Sequence, residues 1–180
     1  MSAKPIRERT TADAEGEVVV FLVGMRVNRL SAPHRWLPVF GAMSRMLREL
    51  GKDKDNGMLG FMKLSGSPRT YVVVQYWESR DKLYAYAANQ DRQHRPAWAA
   101  FNRLARTSGA AVGVWHETYA VPAGSYESLY SGMPPFGLAG AHGAIPVARR
   151  GETAAQRLAY AGRPAREGHE APAQESSTAV

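Results

Sequence analysis

The run Val18-Val19-Val20-Phe21-Leu22-Val23 is apolar at every position and mostly β-branched. It is too short to be a helix that stands alone, and it shows no alternation of apolar with polar residues. Such a segment reads as a strand buried on both faces. The chain must therefore place material on each side of the sheet that contains it. Residues 17–28 are assigned to this strand, with Arg26 and Asn28 at its exit.

The segments that follow supply one of those layers. Trp36, Val39, Phe40, Met43, Met46, Leu47 and Leu50 recur at helical spacing and form one wide apolar stripe. Ser31 is placed as N-cap, Pro33 in the first turn, and Gly51 just beyond the end. After a polar turn at 52–56, residues 58–64 and 70–77 read as two strands of a hairpin joined through Ser65-Gly66-Ser67-Pro68. Ser79 and Asp81 offer caps for a second helical region carrying Leu83, Tyr84, Tyr86 and Ala87. Pro96 suits the first turn of a further helix with Trp98, Phe101, Leu104 and Ala105. A last strand occupies 111–121. The order strand, helix, strand, strand, helix, strand defines an α+β fold of the split βαβ, ferredoxin-like kind. It has a four-stranded antiparallel sheet with helices on one face. The other face is expected to be shielded by a second copy of the chain.

This domain is bounded at 17–138. Residues 1–16 lack periodicity and are assigned to a flexible arm. Residues 139–180 are dominated by Ala, Gly, Arg, Glu and Ser and are expected to be mostly disordered, with one short helix at 154–161.

Composition removes several classes of function. With no cysteine, thiolate catalysis, disulfides and iron–sulfur clusters are excluded. The net charge of +7 raises the question of nucleic acid. Lys and Arg are scattered, however, and no basic stripe interleaved with aromatics appears, so no nucleic-acid partner is expected. No apolar run approaches the ~20 residues of a membrane span, and the polar start is no signal peptide. The chain reads as soluble and cytoplasmic. There is no His-x-His, HExxH, P-loop, GxGxxG or GxSxG, so no metal, nucleotide or serine-hydrolase site is assigned.

Chemistry concentrates in Gly113-Val114-Trp115-His116-Glu117-Thr118-Tyr119. Alternation sets Val112, Val114, His116 and Thr118 on one face and Trp115, Glu117 and Tyr119 on the other. Either face is compatible with a cavity at this stage. A histidine there is a general base near neutral pH, a metal or haem ligand, or a hydrogen-bonded core residue. Glu117 orients an imidazole, accepts a substrate proton, or serves as a surface carboxylate. Gln75 and Trp77 share a face of the hairpin and suit a small-molecule pocket with one amide handle, or an interface. His34, His94 and Asn102 reach one cleft if their helix starts open on the same rim. Residues 125–138, with Tyr126, Tyr130 and Phe136 as anchors, are expected to cover the cavity or the partner.

Trp36-Leu37-Pro38-Val39-Phe40-Gly41-Ala42-Met43, Gln75-Tyr76-Trp77, Ala97-Trp98, Phe101-Asn102 and Val114-Trp115-His116-Glu117-Thr118-Tyr119 occur in order with matching spacing. With Tyr126-Glu127, Met133-Pro134 and Gly137-Leu138 they resemble the bacterial and fungal "monooxygenase family" group of the dimeric α/β-barrel superfamily. The resemblance covers about residues 17–138. It implies a ferredoxin-like fold that dimerises sheet to sheet around an enclosed cavity. It also implies a superfamily of cofactor-free monooxygenases, haem-degrading oxygenases and haem enzymes such as peroxidases and dehydratases. The reading that follows is a monooxygenase-like oxidoreductase acting on an apolar or aromatic small molecule. His116 is its base and Glu117 or Gln75 orients the imidazole. Trp36, Trp77, Trp98, Trp115, Tyr119, Tyr126 and Asn102 complete the substrate site. No cofactor is required in this version. The alternatives are a haem enzyme of the same fold with His116 or His94 as axial ligand, and a non-catalytic ligand-binding accessory protein.

Overall fold

In the computed structural model the described residues are 4–52, 54–88, 103–104, 106–107 and 109–162. Val18–Val27 (β2) lies inside a four-stranded antiparallel sheet between Thr70–Trp77 (β4) and Val112–Val121 (β5), and Met58–Ser67 (β3) forms the far edge. Pro33–Leu50 (α1) and Arg80–Ala88 (α2) complete the described part of the expected order. The helix expected from Pro96 falls mainly outside the described residues. So do His94, Trp98 and Asn102.

Strand alternation divides the core in two. Val19, Val23, Met25 and Val27 of β2 face α1 and meet Val39, Ala42, Met43, Met46, Leu47 and Leu50. Trp77, Leu83 and Val112 close the same layer. The helix starts one residue later than expected. Ala32, not Ser31, is its N-cap and offers no side-chain hydrogen bond, and Pro33 fills the first position. Gly51 caps the other end at φ −70°, a right-handed conformation, rather than in the left-handed form.

The opposite face carries the main correction to the sequence reading. Val18, Val74 and Tyr76 are covered by the chain's own ends, through Ala12, Ala14 and Ala139. Thr10–Ala12 (β1), inside the supposed flexible arm, pairs antiparallel with Ala144–Pro146 (β6), inside the supposed disordered tail. Leu138–His142 (α3) sits on β3, where a Cβ on Gly60 would lie 3.3 Å from Ala141. Ala154–Ala161 (α4) matches the expected short helix and begins with a reciprocal Thr153–Gln156 capping box.

Two buried arginines fasten these ends to the body. Arg150 donates to Asp13 Oδ1 at 2.5 Å, Glu15 Oε1 at 3.2 Å and the Ala14 carbonyl at 3.0 Å. Its guanidinium also stacks 4.5 Å from the Tyr160 ring centre. Arg157 donates to Glu127 Oε2 at 2.7 Å and to the carbonyls of Gly151 and Glu152. Both charges are paired with carboxylates and donate further to backbone carbonyls, which favours burying a guanidinium.

His142 makes this clamp sensitive to acid. Burial lowers its pKa from 6.5, an effect the Asp13 carboxylate partly opposes, and its buried Nε2 has no hydrogen-bond partner among the described residues. Below about 6.5 the unfolded chain binds the proton more readily than the folded one. Stability from this group is therefore complete above that pH and falls as pH drops. His142→Gln is expected to shrink the loss in Tm between about pH 7.5 and about pH 5. An unchanged loss would assign the acid sensitivity to other groups.

Candidate functional site

The apolar layer between sheet and helices is not filled where β5 runs past the end of α1. A cavity of about 160 Å³ opens there, lined by Met46 and Leu50 of α1, Leu83 of α2, and Phe21, Gln75 and His116 of the sheet. In register, Gln75 of β4 lies beside Phe21 of β2, which lies beside Thr118 of β5. His116 pairs with Val23 one step along. This geometry follows from alternation, because Phe21, Gln75, His116 and Thr118 share the face that carries Val19 and Val112.

The two faces offered by the last strand are thus told apart. The valine-rich face packs on the helices, and the cavity lies on that same side. His116 is exposed at the cavity mouth, its ring 5.8 Å from Phe21. Among the described residues no hydrogen bond holds its imidazole. Gln75 is buried at the inner wall, and its Oε1 accepts a hydrogen bond from Trp77 Nε1 at 3.0 Å. Trp77 lies behind Gln75 and packs on Tyr86 with ring centres 5.4 Å apart. Tyr86 also lines the cavity. Burial, helped by the nearby Glu49 carboxylate, pushes its phenol up to about 12, so it stays protonated at neutral pH.

Several predicted site residues lie elsewhere. Glu117 projects from the other face and accepts from the Tyr119 hydroxyl at 2.6 Å, a bond that raises the phenol's pKa. It does not orient His116, and neither does Gln75. Trp115 covers Gly24 on that same far face, where an added Cβ would fall 2.5 Å from the indole. Tyr126 donates to the Gly16 carbonyl at 3.0 Å and joins the layer beneath the chain ends. Trp36 packs against the core from the start of α1, with Nε1 3.4 Å from the Leu30 carbonyl, and is not among the described residues lining the cavity. His34 is exposed in the first turn of α1. Of the predicted set, the cavity brings together His116 and Gln75, with Trp77 as support.

Phe21, Met46, Leu83, Tyr86 and Thr118 were not singled out for the site. Thr118 was within reach of strand alternation, and Leu83 with Tyr86 of helical spacing. Among the described residues no cluster of three or more His, Cys, Asp or Glu side chains is placed to hold a metal ion. No described helix is long and apolar enough to cross a membrane.

Taken together, the sheet order and the helices packed on it define a ferredoxin-like α+β protein. The chain belongs to the monooxygenase af470-like family, whose model matches residues 18–138. Monooxygenase af470 of Aspergillus fumigatus is 27% identical over 153 residues, covering 74% of this chain and 54% of that protein. The chain thus spans about half the length of this curated relative. Among solved structures, an aldoxime dehydratase bound to butyraldoxime superposes with a TM-score of 0.56 at 15% identity, over 79% of this chain and 41% of that one. SnoaB, a cofactor-independent oxygenase from Streptomyces nogalater, gives 0.41 at 15% identity, over 57% of this chain and 91% of that one.

Proposed function

We propose that the chain is a monooxygenase-type enzyme that oxidises an apolar or aromatic small molecule in the chamber beside β5. Membership of a family named for a monooxygenase supports the reaction class. The observation that carries the reading is an imidazole at the mouth of a mainly apolar cavity. His116 takes a proton from a CH₂ group acidified by a carbonyl conjugated with the aromatic rings. The carbanion passes one electron to O₂, and the two radicals combine as a hydroperoxide. Protonation and loss of water leave a ketone, so CH₂ and O₂ become C=O and H₂O with O₂ as the oxidant. Phe21, Met46 and Leu83 exclude water and keep the carbanion from being reprotonated by solvent.

The described lining offers haem one imidazole and no Lys or Arg to meet its carboxylates. These residues do not fit that group, and no step is assigned to it. Homodimerisation belongs to the same proposal. The part of the second sheet face left by the chain ends includes Tyr119, 49% exposed, with Leu22 and Trp115 on the same face. A partner would cover it.

The test is oxygen uptake by the purified full chain with a panel of aryl ketones that carry a conjugated CH₂ group, followed by mass analysis after reaction under ¹⁸O₂. Incorporation of one labelled oxygen atom is the expected result. Binding without oxygen uptake across the panel would favour a non-catalytic ligand carrier.

A further inference from the structure

The cavity wall holds a polar group whose orientation is fixed by chemistry rather than by choice of rotamer. Indole nitrogen donates and never accepts, so the atom of Gln75 bonded to Trp77 Nε1 must be the carbonyl oxygen. An amide flip, the usual ambiguity for glutamine, is thereby ruled out. Trp77 is itself 1% exposed and held by the Tyr86 ring, so it cannot swing to release the bond. The amide nitrogen is left pointing away from Trp77. Among the described residues no hydrogen bond engages it, although Gln75 is 1% exposed and lines the cavity.

Its N–H groups are open to the cavity rather than sealed from it, and a ligand oxygen there can accept from them. We propose that Gln75 is the specificity-determining residue of the chamber and that it selects ligands presenting a neutral carbonyl or phenolic oxygen at the inner wall. The inference deepens the function proposed above and rests on its placement of the substrate. Ligands with only an N–H donor meet another donor and are rejected. Carboxylates are disfavoured because the described lining holds no Lys or Arg. Oxygen that gains negative charge during proton abstraction is held more strongly than in the ground state, so the same amide favours the enolate over the ketone.

The test uses three bicycles of similar shape: 1-tetralone as acceptor, tetralin as neither, and 1,2,3,4-tetrahydroquinoline as donor. Calorimetric titration of the full chain is expected to show 1-tetralone binding about ten-fold tighter than the other two, in line with one net hydrogen bond. The carbonyl stretch of bound 1-tetralone should lie below its value in hydrocarbon solvent. Gln75→Leu should erase both the preference and the shift. Trp77→Phe keeps most of the apolar volume and frees the amide to rotate, so the preference should narrow and tetrahydroquinoline should gain. Equal binding of 1-tetralone and tetralin to the unaltered protein would overturn the inference and leave the chamber's function standing. Failure of all three to bind would overturn both. If Gln75→Leu does not fold, the unaltered protein and Trp77→Phe decide the matter.

Discussion

A chain ended after Gly140 is expected to lose on the order of 4 kcal/mol of stability and about 10 °C in Tm. The missing residues include β6, which is the partner of β1. They also include Ala141 and Ala144, which help cover the second face of the sheet. Val147 and Ala161, both buried, go as well. Val74, Tyr76 and Met62 would then meet water, at about 25 cal/mol for each Å² of apolar surface uncovered. Loss of Arg150 leaves Asp13 and Glu15 facing each other without their shared cation. Loss of Arg157 strips Glu127 of its partner. Since natural domains hold only about 5–15 kcal/mol in reserve, aggregation during expression is a second expected outcome. Thermal unfolding and binding of a hydrophobic dye to the full and shortened chains would decide the matter. An unchanged Tm with no added dye binding would mean that the chain ends contribute little to covering the sheet.

The sequence pointed the other way on this point for a physical reason. The ends contact Tyr76 and Val74 largely through Ala12, Ala14 and Ala139, residues whose small apolar area gives no periodic signal. The binding of the tail is electrostatic as much as apolar, and a buried Arg150 looks in sequence like any solvated arginine. By contrast, the Val18 to Val23 run and the α1 stripe state their environment directly, because β-branched and large apolar residues at fixed spacing have few alternatives to burial. Within the site, a uniformly apolar strand hides which face is which, so Phe21 was not separable from Val20. Grouping His116 with Glu117 ran against the alternation that had set them apart, since adjacent strand residues go to opposite faces. Gln75 and Trp77 were visible as a pair. That the indole bonds the amide instead of lining the cavity depends on side-chain torsions that spacing does not encode.

His116→Ala is expected to lower kcat/KM by about 10²–10⁴-fold, the usual contribution of a positioned general base. Glu117→Ala is expected to leave it within about 2-fold, because surface substitutions away from the reacting groups have small effects. The contrast is a direct consequence of the sheet. These neighbours in sequence stand on opposite faces, one at the cavity mouth and one bonded to Tyr119 on the far side. The loss in His116→Ala should fall on kcat, with ligand affinity nearly unchanged, since the apolar walls and Gln75 remain. Oxygen-electrode turnover beside calorimetric affinity separates the two effects. Adding imidazole to His116→Ala should restore part of the rate, because the vacated mouth is open to solvent. If Glu117→Ala proves the more damaging change, the reacting groups belong on the far face of the sheet, and a partner subunit seated there would have to complete the site.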